Sequence, residues 1–265
     1  MARDIQNQKD DRQIPVDQVG VKDVHYPITV LDKANKHQST VARVNMYVNL
    51  PHDFKGTHMS RFIEVLNQHH GQITVHNFNS ILEDLMQSLH AKAAHIEMEF
   101  PYFIKKKAPV SGDESMMEYI CSYIVDRQGD KSEFLVGVQA PILTLCPCSK
   151  EMSEQGAHNQ RSQVKVTLKF KKFFWIEDVI DMIEKSASAP VYSLLKREDE
   201  KYITELAYAN PRFVEDVVRE VTMKLRDTGN FPWFRVEAEN FESIHNHNAY
   251  ALVEWSEEKN GKKND

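Results

Sequence analysis

Gln163-Val164-Lys165-Val166-Thr167-Leu168-Lys169-Phe170-Lys171 alternates polar and apolar side chains at every position. Successive side chains of a strand point to opposite faces, so Val164, Val166, Leu168 and Phe170 mark a buried face and the residues between them a wet one. The stretch predicts a half-buried strand, the mark of an antiparallel sheet covered on one side. Working outward, residues 134–145 read as a strand before it and 175–186 as an amphipathic helix after it. A long helical region over 198–227 follows, broken where Asn210 can cap and Pro211 can take the first helical position. Phe234, Val236 and Ala238 then alternate with Arg235, Glu237 and Glu239, and Ala249, Ala251, Val253 and Trp255 repeat the pattern. This half therefore runs ββααββ.

The N-terminal half has the same order. Residues 24–31 form a plausible strand, and Val44, Met46, Val48 and Leu50 alternate with Asn45, Tyr47 and Asn49 in the next. Apolar residues at helical spacing (Phe62, Val65, Leu66; Ile81, Leu82, Leu85, Leu89) predict helices over 60–68 and 79–94, separated by a turn containing Gly71. Ile96, Met98 and Phe100 alternate with Glu97 and Glu99, and 117–125 is rich in β-formers. The two halves share no evident sequence identity, so the repeat is one of topology. Hairpins with helices between them place the chain in the α+β class, antiparallel sheets covered on one face by helices. The expected organisation is a flexible arm over 1–20, one unit over 21–130, a second over 131–256 and a flexible tail over 257–265.

A chain of 265 residues with 41% hydrophobic content can bury a sizeable core, and its length suits two modules. The net charge of -6 argues against broad nucleic-acid binding but leaves room for a local basic pocket that takes one small anion. The N-terminus is polar, and no apolar run approaches the roughly 18 residues that span a bilayer. The expectation is a cytoplasmic, soluble protein with neither a nucleic-acid nor a membrane partner. Three cysteines cannot all pair within one chain, and a bond between Cys146 and Cys148 would close too small a loop, so reduced thiols fit best.

Those two thiols lie in Leu145-Cys146-Pro147-Cys148-Ser149-Lys150-Glu151, followed by Gly156-Ala157-His158-Asn159-Gln160-Arg161-Ser162. Thiols beside Pro, Ser and Lys at a strand end suggest an open metal site, a nucleophile or a redox pair, against the plainer alternative of incidental thiols in a loop. One thiolate and the His158 imidazole could hold a divalent ion with carboxylate or imidazole from elsewhere. A zinc finger is disfavoured, since no Cys-x-x-Cys pair exists. Near the C-terminus, Glu242-Ser243-Ile244-His245-Asn246-His247-Asn248 would put His245 and His247 on one side of an extended backbone with Glu242 in reach. On the last helix Phe213, Val217, Val221 and Leu225 form the apolar stripe, leaving Glu215 on another face, where it could simply pair with Arg219 at i,i+4.

Taken with Asp199-Glu200-Lys201 and Asn210-Pro211-Arg212-Phe213-Val214-Glu215-Asp216, these motifs closely resemble the bacterial GTP cyclohydrolase of type IB. The resemblance runs over residues 21–255 and includes His58-Met59-Ser60-Arg61. It implies the tunnelling fold, whose unit is ββααββ, in two copies per subunit. It also implies conversion of GTP and water to 7,8-dihydroneopterin triphosphate and formate, with one divalent metal per site (zinc, manganese or iron). In that frame Cys146, His158 and Glu200 are metal ligands, with Glu242, His245 and His247 in or next to the shell. Cys148, His245 and His247 suit proton transfer, and Glu215 resembles the carboxylate that anchors a purine or pterin edge. Lys150, Arg161 and Arg61 are candidates for the triphosphate. A homotetramer with active sites at subunit interfaces is expected, since ββααββ units leave sheet edges open to another copy.

Two other functions compete. A tunnelling-fold nitrile reductase acting on a deazaguanine with NADPH needs a nucleophilic cysteine but no metal shell, so the extra His and Glu residues weigh against it. A non-catalytic, metal-stabilised assembly module would bind metal without turning over GTP.

Overall fold

The computed structural model describes residues 6, 8–69 and 77–260. In chain order its elements are β1 (Val16–Asp32), β2 (Lys36–Leu50), α1 (Met59–Gln68), α2 (Phe78–Ser88), β3 (Ala93–Lys107), β4 (Glu114–Gln128), β5 (Lys131–Leu145) and α3 (Pro147–Met152). Then follow β6 (Asn159–Leu168), α4 (Ile176–Glu184), β7 (Ala189–Pro190), α5 (Arg197–Ala209), α6 (Val214–Asp227), β8 (Trp233–Asn240), β9 (Ala249–Ser256) and α7 (Glu257–Asn260). The class is α+β, as the alternation predicts. The turn expected around Gly71 lies outside the described residues.

Two compact units divide the chain: one holds the residues up to Pro101 with Ser122–Leu135, the other Tyr102–Cys121 with the residues from Val136 on. The partition crosses β3, β4 and β5, each of these 15-residue strands giving one end to each unit. Strand β1 begins at Val16, inside the stretch expected to be an arm, and α7 occupies part of the expected tail.

In the first unit β1 pairs antiparallel with β2, and β2 with β3, where Tyr47 faces His95. Strand β1 is irregular between Val21 and Val24. Asp23 there has φ 58, and its N–H donates to Asn45 Oδ1 at 2.9 Å. Helices α1 and α2 bury Phe62, Val65, Leu66, Phe78, Ile81, Leu82 and Leu85. Phe78, Phe100, Tyr123 and Phe134 form a ring cluster, each contact worth about 0.5–1.5 kcal/mol beyond its area. Helix α2 ends at Ser88, short of the expected 94, because His90 turns left-handed at φ 51 and Ala91 N–H closes back on Met86 O at 2.9 Å.

In the second unit β5, β6, β8 and β9 pair antiparallel in that order. The face carrying the core is apolar along Val136, Val138, Ala140 and Ile142 of β5, Val164, Val166 and Leu168 of β6, and Phe234, Val236 and Ala238 of β8. Helix α6 covers β8 and β9, and α4 packs on α6. At one end the same buried face turns polar, through Thr144, Gln160, Ser162 and Asn240. Strand β6 starts four residues before the quoted stretch, since its polar beginning pairs with β5 as far as Leu145 opposite Asn159. The break in the helical region also differs from expectation. Asn210 is the C-cap of α5, Pro211 lies in the connection, and Phe213 precedes α6 with its N–H bonded to Asp216 Oδ2 at 3.0 Å. Among the described residues no helix is long and apolar enough to cross a membrane.

Candidate active site

The polar end of the second unit is where β5 and β8 finish and β6 begins. Leu145 closes β5, Cys146 is the N-cap of α3, and the six residues from Pro147 form that helix, with Pro147 in the first turn, where its missing N–H costs nothing. Cys146 Sγ accepts from Ser149 N at 3.4 Å. Cys146 N–H donates to His158 O, and His158 N–H donates to Ser149 Oγ, both at 3.1 Å. These bonds close α3 on itself and hold Cys146 beside His158 across the mouth of the β5–β6 pair. Cys146 is half-buried, Cys148 exposed, and both thiols are free.

Leu145 is held on every side. Its N–H donates to Ser188 Oγ at 3.1 Å and its carbonyl accepts from Arg212 N at 3.0 Å. Its side chain packs with Ala189, Ile203 and Ala207, with Ala157 against the same cluster. Asn210 Nδ2 donates to Ala187 O at 2.8 Å. The thiol-bearing turn, helix α5 and the start of α6 are thus bound to one peptide.

Glu242 reaches the same end because Phe241 N–H donates to Arg161 O, which carries the β6–β8 ladder one step past β8. Glu242 Oε2 lies 3.9 Å from His158 Nδ1, with the two side chains only 12% and 13% exposed. His245 and His247 do come together, their rings stacked at 5.1 Å and 22°, on the exposed segment between β8 and β9.

Glu200 is exposed in the first turn of α5. Its neighbour Asp199 is buried and fixes that helix start. Asp199 accepts from Val110 N, Ser111 N, Ser111 Oγ and Lys196 N at 2.7–2.9 Å. Burial alone would raise its pKa, but the donors from Ser111, Lys196 and Val110 outweigh it and hold the carboxyl well below the usual range. Glu215 is exposed in the first turn of α6. The pairing with Arg219 allowed by the sequence does not form, because Arg219 turns to Asp216 Oδ1 at 3.8 Å. The carboxylate of Glu215 is left available at a helix N-terminus, where the dipole favours negative charge.

The candidate cations are placed differently from one another. Lys150 Nζ donates to Tyr208 O at 2.6 Å and sits 4.5 Å over the Tyr208 ring. Arg161 is exposed and lines an open cleft of about 550 Å³ with Pro141, Gln160, Gln163, Phe241 and Ser243. Arg61 belongs to the first unit, where its Nη1 donates to Ser88 O at the end of α2. The structure thus brings Cys146, His158 and Glu242 to one sheet end. Among the described residues no group of three or more His, Cys, Asp or Glu side chains is placed to hold a metal ion.

Sequence reasoning gave no role at the site to Thr144, Gln160, Ser162, Ser188 and Asp199, and read Asn210 only as a helix cap. Three of them carried a signal, since Thr144, Gln160 and Ser162 occupy inward positions of otherwise apolar strands.

The family model described as type I GTP cyclohydrolase folE2 matches residues 2–251. GTP cyclohydrolase FolE2 of Syntrophus aciditrophicus is 61% identical over 251 residues, covering 95% of this chain and 98% of that protein. The protein of the same name from Syntrophotalea carbinolica is 59% identical, covering 96% of this chain and 95% of its own length. Among solved structures, urate oxidase from Bacillus sp. TB-90 superposes with a TM-score of 0.54 at 10% identity, over 91% of this chain and 100% of that one. Uricase from Arthrobacter globiformis gives 0.50 at 9% identity, over 90% and 92%. At such identities the likeness speaks to fold alone, and it is consistent with the tunnelling fold.

Proposed function

The chain belongs to the type I GTP cyclohydrolase family, and from that premise we propose that Cys146, His158 and Glu242 form the centre at which it converts GTP and water to 7,8-dihydroneopterin triphosphate and formate. This reaction is the entry step of folate and pterin synthesis. The observation that carries the placement is the convergence of a half-buried thiol, an imidazole and a carboxylate at the ends of β5, β6 and β8.

The family's activity depends on a metal ion. The donors fit one in kind, since thiolate suits zinc while imidazole and carboxylate admit manganese or iron. Cys146 and His158 would hold it, with Glu200, His245 and His247 as further donors and Glu242 beside the His158 ring. When bound, the ion supplies Lewis acidity and lowers the pKa of water at the site.

The chain's own groups do the rest. Glu215 anchors the guanine edge by two charge-assisted hydrogen bonds, to the ring N–H and the exocyclic amine. The substrate must gain water at C8, open its imidazole ring, lose formate and close a pterin ring, so protons are delivered and removed near neutral pH. Cys148, His245 and His247, all exposed at this end, serve that traffic. Arg161 on its cleft and Lys150 released from Tyr208 receive the triphosphate, with Arg61 supplied by another subunit.

The same reading gives the chain two ββααββ tunnelling-fold units, residues 21–130 and 131–256, in a cytoplasmic homotetramer with active sites at subunit interfaces. Strand β9 supports it: among the described residues it pairs only with β8, and it exposes Tyr250 and Leu252. A fully active monomer by light scattering would contradict it.

Division of labour between the thiols is the test. Cys146→Ala should lose both metal and formate release from GTP, and Cys148→Ala should lose turnover while keeping metal. Equal metal loss in both variants overturns the assignment.

A further inference from the structure

A chain of buried polar side chains runs inward from His158. His158 Nδ1 lies 3.1 Å from Gln160 Oε1, Gln160 Nε2 donates to Thr144 Oγ1 at 2.9 Å, and Thr144 Oγ1 lies 2.8 Å from Ser162 Oγ. Gln160 is 5% exposed and Thr144 and Ser162 are fully buried, so the chain has no access to water at its inner end. Such groups are costly to bury unless each finds its partner. His158 directly precedes β6 and Gln160 is the strand's second residue, so along this extended backbone their side chains fall on one face.

The chain can run in two self-consistent directions. In one, His158 Nδ1–H donates to Gln160 Oε1, the Gln160 amide donates to Thr144, and Thr144 donates to Ser162. In the other, every donor reverses, the glutamine amide turns over, and it donates to a bare Nδ1, which leaves the proton on Nε2. Glu242 decides between them. Its Oε2 lies 3.9 Å from the same Nδ1, and an ionised carboxylate accepts hydrogen bonds but cannot donate them. Negative charge on that side favours a proton on Nδ1.

We infer that Gln160 is a positioning residue that, together with Glu242, holds His158 as its Nδ1–H tautomer and so presents Nε2 as the lone-pair donor to the ion. The inference rests on the reading of His158 as a metal ligand. It gives a role to the glutamine of the His158-Asn159-Gln160 motif that the chemistry above did not use. Outer groups of this kind orient a ligating imidazole and raise its basicity, and losing one typically weakens metal binding about 10–100-fold.

The test uses the full chain labelled with 15N-histidine and stripped of metal, with the His158 signal in a long-range 1H–15N correlation identified by its loss in His158→Ala. The wild-type protein should show Nδ1 protonated and Nε2 bare. Gln160→Glu keeps an acceptor facing Nδ1 and can accept from the Thr144 hydroxyl, so it should keep the tautomer and bind manganese or zinc within a few-fold of wild type. Gln160→Leu fills similar space without an acceptor, so it should mix the tautomers and lose about 10–100-fold in metal affinity. A proton on Nε2 in the wild type, a Gln160→Leu protein with wild-type tautomer and affinity, or a Gln160→Glu protein as impaired as Gln160→Leu would overturn the inference. If His158→Ala bound metal as tightly as wild type, the ligand assignment would fall instead, a failure distinct from any change in the tautomer signal.

Discussion

Thr144→Val keeps the volume of a buried side chain and removes only its hydroxyl, so it isolates what the polar end of the second unit contributes to stability. The hydroxyl serves two partners, Gln160 Nε2 at 2.9 Å and Ser162 Oγ at 2.8 Å, and all three residues are buried. A buried polar group left without a partner costs about 1–3 kcal/mol, so two of them with some relaxation give about 2–4 kcal/mol of destabilisation. Thr144→Ser is the control: it keeps the hydroxyl and loses one buried methyl, worth about 1 kcal/mol. Urea unfolding followed by circular dichroism at fixed protomer concentration should show a lower midpoint for the valine variant at unchanged slope. By thermal unfolding the valine variant should melt on the order of 10 °C lower. If valine is within about 0.5 kcal/mol of wild type, or serine costs more than valine, burial governs this position and the hydrogen-bonded chain contributes nothing.

Glu215→Gln should raise the GTP dissociation constant about 100-fold or more, the equivalent of about 3 kcal/mol, with metal content unchanged. Wild-type affinity would leave Glu215 as an ordinary exposed helix residue. In the first unit, the hydrogen bond from His95 Nδ1 to Asp126 Oδ1 at 2.6 Å raises the His95 pKa above its ordinary 6.5, against burial that lowers it. A raised native pKa stabilises the fold fully below the unfolded value, and that stabilisation is lost as pH rises through the native one. His95→Gln should therefore destabilise more at about pH 5.5 than at about pH 9, whereas a pH-independent difference would contradict the pairing.

The alternation in Gln163–Lys171 and its counterparts, with the helical spacing between them, was enough to place most strands and the longer helices, because period-two and period-3.6 patterns come directly from which side chains face the core. Where helices stop was less legible. The end of α2 at Ser88 depends on a left-handed His90, a conformation that histidine does not advertise, and Phe213 precedes α6 where Asn210 and Pro211 looked the better start. Strands β3, β4 and β5 were seen, but not that each is shared between units, which depends on packing between distant segments. At the site, Cys146, His158 and Glu242 stood out by residue type and motif, and the structure brings them to one sheet end. Asp199 did not stand out, since its neighbour Glu200 carries the same charge and only burial under Val110 and Ser111 tells the two apart. Glu215 was the reverse case: its pattern allowed a surface ion pair, and only the turn of Arg219 toward Asp216 shows it to be free of that pair.

The central claim is that one thiol, Cys146, joins the metal shell and its neighbour Cys148 does not. X-ray absorption at the edge of the bound metal counts sulfur directly, because a thiolate lies about 2.3 Å from zinc and nitrogen or oxygen ligands lie closer. The wild type and Cys148→Ala should each show a single sulfur scatterer and Cys146→Ala none. Two sulfurs in the wild type, or one retained in Cys146→Ala, would contradict the account.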